Sequence, residues 1–364
     1  MAENPFRLHR LALVAVTGRL GGKHGRAALS EAITSGGSQF SGFVGYQKLA
    51  SLWSHRLAET GAANDVAADF VREQRLRHFA ETAMYAVQQA SLRPLDQLFT
   101  ANAITYAIFK GVHLRELVYP DPALRPASDI DILVHPDQRE AAARALISAG
   151  FTLQAEPENI SHEVTLTRGP IAIDLHWDML RPGRTRIDMA EPLLTGRVRV
   201  GNEEAGFWGL SDTDALFLML VHPAFTRYVC SPTVALSSMA DVLFWLESRP
   251  VDWDRLAARL EQTGLKTAAW AQLAWLAMLV EPEDLPAPPT FLQRIRPGQG
   301  RAWYLEQWLR RDLPGRFIDM PLLIQAGLTL VLHDRGSDTV RALQGWRRAR
   351  QQRHSDPLLR LART

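Results

Sequence analysis

Apolar residues recur at three- and four-residue intervals through most of the chain, and they alternate with polar ones only in its middle third. Phe6–Val16 has helical spacing. Tyr46–Glu59 and Val66–Leu92 do too, the second with Phe70, Leu76, Phe79, Met84 and Val87 on the repeating positions. Arg93-Pro94 is expected to end that helix, and Leu95–Ala101 to form another. Gly18–Gly45, rich in Gly and Ser, breaks the pattern and reads as surface loop. Its Gly21-Gly22-Lys23-His24-Gly25 run lacks the G-x-x-x-x-G-K-[ST] spacing of a phosphate loop, and no buried strand precedes it.

From Ile104 the period shortens. Ile104–Phe109, Asp129–Val134, Phe151–Gln154, Glu163–Thr167 and Ile171–Trp177 read as strands, with Arg197–Val200 and Gly206–Leu210 as edge strands. Arg168-Gly169-Pro170 is a hairpin turn. His113–Val118 and Gln138–Ala149 read as helices, the latter capped by Asp137 and stopped by Gly150. From Ser211 the pattern is helical again: Asp212–Val221, Ala235–Leu246, Trp253–Thr263, Thr267–Val280, Phe291–Arg296 and Arg301–Arg310. Ser211 and Asp214 have capping-box spacing, and Pro-rich Glu281–Thr290 reads as a linker. The expected fold is α+β: a small mixed-sheet core over residues 101–210, a helical region over 1–100, and a helical domain over 211–364.

Three carboxylates interrupt this core. Asp129 and Asp131 lie in Ser128-Asp129-Ile130-Asp131-Ile132-Leu133-Val134, and Asp174 lies in Ile171-Ala172-Ile173-Asp174-Leu175-His176-Trp177. Acids are poor strand formers. Asp129 and Asp131, two apart on a strand, share a face, while Ile130, Ile132 and Val134 turn to the other. If the second strand lies beside the first, the three like charges converge and need a cation. A strand end facing solvent is the plainer explanation. Two Mg²⁺ ions roughly 3.5–4 Å apart, clamping the oxygens of a phosphoryl displacement, would satisfy three carboxylates.

The order of these parts resembles the nucleotidyltransferase superfamily of the DNA-polymerase-β type. Lys110-Gly111, Tyr119-Pro120, Arg125, the Ser128–Val134 run, Gly150-Phe151 and Ile173-Asp174-Leu175-His176-Trp177 resemble, more narrowly, a bacterial family of uncharacterised nucleotidyltransferases, over residues 100–250. The resemblance implies a nucleotidyltransferase core at 101–210. It also implies Asp129, Asp131 and Asp174 as catalytic metal ligands for two Mg²⁺ or Mn²⁺ ions, and a nucleoside triphosphate such as ATP as co-substrate. Lys110, Gly111, Ser128 and Arg125 would then bind the nucleotide. The superfamily usually carries Gly-Gly or Gly-Ser where this chain has Lys110-Gly111, which matches the narrower family and leaves the phosphate contact open. Arg125 is either a phosphate ligand or one of many surface arginines.

The histidines keep alternatives. His176 could bind metal, orient Asp174, or pack under Trp177; His162 lies at a strand mouth and could meet a substrate. His222 and Asp241 match the family's later helices, although helix-end and ion-pair roles also account for them.

Composition narrows the reading further. With 364 residues, 46% apolar and 22% charged, the chain has room for two or three domains of a soluble protein. Its net charge of +2 implies no polyanion partner by itself. The single cysteine, Cys230, fits a reducing cytoplasm. Leu11–Val16 is too short for a signal-peptide core, and Ala268–Val280 and Pro321–Leu332 fall short of the ~20 residues of a membrane span. A basic tail carries Arg341, Arg347, Arg348, Arg350, Arg353, Arg360 and Arg363 against one acid, Asp356. It is either an RNA-binding arm or a solvated helix face.

The expected activity is transfer of a nucleoside monophosphate to an acceptor hydroxyl, with release of pyrophosphate. The acceptor is an RNA end, a small molecule or a peptide. Two non-catalytic readings compete: a nucleotide- or partner-binding module, and a helical scaffold using residues 18–45 as its contact loop.

Overall fold

The alternating middle third folds into one seven-stranded sheet of order β3-β4-β5-β2-β1-β7-β6. The strands are β1 (Tyr106–Phe109), β2 (Ile130–Val134), β3 (Thr152–Gln154), β4 (Glu163–Arg168), β5 (Ile171–His176), β6 (Val198–Val200) and β7 (Phe207–Gly209). β2 pairs parallel with β5 and β1 parallel with β7; the other pairings are antiparallel. The geometry comes from a computed structural model, which describes residues 6–17, 25–156, 160–201, 206–226, 236–311 and 327–362. Cys230, Arg363, the Gly21–His24 part of the glycine-rich run and residues 321–326 lie outside the described residues.

Each face of the sheet has its own core, as a period of two requires. Ile108, Ile130, Ile132, Val134, Ile173 and Leu175 face one way, packing with the Arg139–Ser148 helix and with Leu92, Leu95 and Phe99. Ala107, Phe109 and Leu133 face the other way and join a larger cluster. That cluster runs from Phe6 through the Asp212–Thr226, Ser237–Ser248 and Lys266–Leu279 helices to Leu332. It draws on helices from both sides of the sheet in sequence, while Leu358, Leu359 and Leu361 near the C-terminus join the smaller cluster. Trp53 Nε1 donates to Ala12 O at 2.9 Å, and Leu236 N donates to Gln47 Oε1 at 2.9 Å. Among the described residues no helix is long and apolar enough to cross a membrane.

Four expectations are corrected. Much of the Gly/Ser-rich stretch is helical, at Arg26–Gly36 and Phe40–Tyr46, because Leu29, Ala32, Phe40 and Val44 bury themselves in the large cluster. The glycines Gly25, at the N-cap, and Gly36-Gly37 mark the ends of the first of these helices. The Ala68–Ala101 helix continues through Pro94. A mid-helix proline costs about 3 kcal/mol. Leu92, Leu95 and Phe99, each gaining about 1.5–3 kcal/mol from burial, flank it and outweigh that cost. In the same helix Leu76, Phe79 and Val87 are exposed rather than buried. Finally, Gln138 rather than Asp137 precedes the Arg139–Ser148 helix, and no side chain caps it.

Candidate active site

The parallel register of β2 and β5 sets Asp131 beside Asp174, and the β4–β5 hairpin sets Thr165 beside Asp174 and Glu163 beside His176. All five side chains therefore project from one face of the sheet. Asp131 Oδ1 takes Lys110 Nζ at 2.6 Å and His176 Nε2 at 3.0 Å. Thr165 Oγ1 donates to Asp174 Oδ1 at 2.7 Å. Glu163 Oε2 lies 3.1 Å from His176 Nδ1. Ligand atoms of Asp131, Asp174 and His176 lie within 4.8 Å of one another. Asp129 sits at the mouth of β2, outside that set but lining the same cleft, with its carboxylate 3.3 Å from the Ser128 hydroxyl.

Charge is concentrated here. Burial, with repulsion from Asp131 and Asp129, lifts the Asp174 carboxyl to about 6 against the Thr165 hydrogen bond. Burial and Asp131 likewise raise Asp129. Burial opposes the charge of Lys110, but the neighbouring Asp131 prevails and raises its amine. Carboxylates crowded together, with Asp129 and Asp174 both raised, suit a divalent cation, which takes carboxylate oxygen and relieves the repulsion. The residues present therefore fit a Mg²⁺ or Mn²⁺ ion.

The walls are held from both sides. Lys110 carries a left-handed backbone, φ +55°, at the start of the Lys110–Val118 helix. The turn's conformational demand thus falls on the lysine rather than on Gly111. Gly111 is needed for space, since a Cβ there would lie 2.8 Å from Arg125 Nη1 and 3.2 Å from the Ala127 Cβ. Arg125 forks onto Asp241, at 2.7 Å from Nη2 and 3.1 Å from Nε, and Tyr119 Oη donates to the same carboxylate at 2.7 Å. Buried Arg115 donates to Gln88 at 2.7 Å, and Gln88 donates to Ala127 O at 2.9 Å, fixing the loop that leads into Asp129.

The cleft so bounded, of about 380 Å³, is lined by Lys110, Gly111, Arg125, Ser128, Asp129, Asp131 and Asp174, with His162, Glu163, Arg181 and His222. Residues 42–280 match the model of a family described as uncharacterised nucleotidyltransferase. The chain belongs to that family. No curated protein matches it.

The expected catalytic and nucleotide-binding residues of this nucleotidyltransferase all border the one cleft, while His176 is fully buried and not in its lining; both cations among them are already engaged. Lys110 is bound to Asp131, and Arg125 is paired with Asp241 on the C-terminal Ser237–Ser248 helix. His222 lies within the Asp212–Thr226 helix, which runs past it rather than ending there. Sequence reasoning passed over Glu163, Arg181 and Lys48, which also line the cleft. Glu163 was recoverable: counting back from the Gly169-Pro170 turn sets it opposite His176.

The basic tail from Arg341 runs through the end of the Gly336–Gln352 helix, the Arg353–Ser355 turn and the short Leu358–Leu361 helix. Arg341, Arg348 and Arg353 line a groove of about 830 Å³ with Arg139 and Trp177. Arg139 is paired with Asp356 at 3.0 Å, and Arg341 with Asp338 at 2.9 Å. A smaller hollow shares Ser161 and Arg353 with this groove and Glu163 and Arg181 with the cleft. The helix seats backbone to backbone. A Cβ on Gly183 (φ +82°) would lie 2.6 Å from Arg341 O and 3.1 Å from the Gly345 Cα.

Proposed function

We propose that this nucleotidyltransferase transfers a nucleoside monophosphate from a triphosphate, with Mg²⁺ or Mn²⁺, to a hydroxyl of a phosphate-bearing acceptor, RNA foremost. The observation that carries the metal dependence is the convergence of Asp131 and Asp174 from paired parallel strands. Asp131 and Asp174, with Asp129 from the mouth of β2, would hold one or two ions. A bound ion supplies charge neutralisation and acidifies the attacking hydroxyl.

The side chains do the rest. Asp174, beside Asp131 on the paired strand, is placed to accept the proton of that hydroxyl. Lys110 is a point charge that can pass from Asp131 to the triphosphate, which Arg181 meets at the rim. Arg125 acts through its pair with Asp241, positioning the loop at Gly111 and Ser128. Once these groups align the hydroxyl with the α-phosphorus, pyrophosphate leaves. The arginines of the adjoining groove favour an acceptor with its own phosphates, because guanidinium forks match phosphate oxygens.

Each labelled nucleoside triphosphate, incubated with the protein, Mg²⁺, total RNA and cell extract, tests this. Label in RNA supports the acceptor class, and label in small molecules or protein replaces it. Asp131→Asn is expected to abolish transfer while leaving the unfolding transition cooperative; retained transfer would remove the metal argument.

A further inference from the structure

We infer that His162, Glu163 and His176 form a second metal site, suited to a transition ion such as Zn²⁺ or Co²⁺ and distinct from the Asp131–Asp174 pair. One atom of each residue lies within 4.8 Å of the others. Glu163 Oε2 is the shared point, 3.1 Å from His176 Nδ1 and 3.6 Å from His162 Nε2. Both imidazoles are buried, at 3% and 0% exposure, and the glutamate is half-buried at the wall of the cleft.

Proton counting leads to the ion. The Asp131 carboxylate is an acceptor, so His176 Nε2 carries the hydrogen in their 3.0 Å contact. A neutral imidazole then presents a lone pair at Nδ1. That nitrogen faces a carboxylate oxygen and makes no hydrogen bond. His162 Nδ1 is engaged by the Ser161 hydroxyl at 2.8 Å, and its Nε2 is buried with no hydrogen-bond partner. With His162 Nδ1–H donating to the Ser161 oxygen, Nε2 presents a lone pair as well; in that tautomer the lone pairs of three groups face one another, and an electron-pair acceptor joins them. Lys110 cannot serve: its amine is on Asp131, across the His176 ring.

Two imidazole nitrogens with one carboxylate suit Zn²⁺, Co²⁺, Mn²⁺ or Fe²⁺ rather than Mg²⁺, which prefers an all-oxygen shell. An ion on Nδ1 also fixes the tautomer that donates to Asp131, so the second site would orient a carboxylate of the first.

Co²⁺ titration in excess Mg²⁺, read by visible absorption, tests the site without reference to nucleotidyl transfer. One equivalent is expected to bind to the wild type and to Asp174→Asn. The absorption band is expected to be lost in His162→Ala and in Glu163→Gln. If His162→Ala fails to fold, Glu163→Gln at the cleft wall carries the test. No band in the wild type, a band surviving both substitutions, or one lost in Asp174→Asn would overturn the assignment.

Discussion

Asp174 is where a single side chain bears most visibly on the whole. Its folded carboxyl titrates at about 6 against 3.8 ordinarily, because burial and its acidic neighbours penalise the charge. Between those values the folded chain holds a proton that the unfolded chain has released, so this group's contribution to stability is full below 3.8 and declines as pH rises through 6. In chelator-containing buffer, Asp174→Asn is expected to flatten that decline and to raise the melting temperature at pH 7. An unchanged slope across a melting series from pH 4 to 7 would contradict it. Gly111 makes a steric prediction: Gly111→Ala presses on Arg125 and Ala127 and is expected to cost about 1–3 kcal/mol in urea unfolding. Asp131 and Asp174 were legible because acids flanked by β-branched residues are anomalous on a strand. The left-handed φ of Lys110 was not, because a lysine carries no signal for that conformation.

Between elements, the decisive join is the fork of Arg125 onto Asp241, which binds the loop before β2 to the Ser237–Ser248 helix. Both side chains are mostly buried, at 12% and 3% exposure. Asp241→Asn leaves a buried guanidinium without its charge partner, and a loss of about 3–5 kcal/mol is expected in urea unfolding. A loss under 1 kcal/mol would mean that the loop is held elsewhere. The partnership was beyond sequence reasoning, since no local spacing ties position 125 to position 241. Local signals served better where one element decides alone. The Trp253–Thr263 helix has the predicted bounds, and the two-residue turn fixes every pair of the β4–β5 hairpin. The Arg26–Tyr46 region misled because its small residues suggest loop, while a few large ones bury themselves in a core assembled from distant helices.

In the molecule as a whole, one sheet divides two cores, and the carboxylates stand at the edge where the larger core gives way to the cleft. That helices before and after the sheet share the larger core could not be read from three compositional regions, because contacts so far apart leave no periodic trace. The seat of Gly183 on Arg341 and Gly345 carries a final consequence. With no side chain between the two backbones, the place of the arginine-bearing helix against the loop after β5 is set by main chain, not by rotamers. If the proposed acceptor is gripped in this groove, it is measured as by a ruler, and only a hydroxyl at the matching distance reaches the carboxylates. A ladder of acceptor oligonucleotides is expected to show a sharp minimum length for labelling rather than a gradual decline.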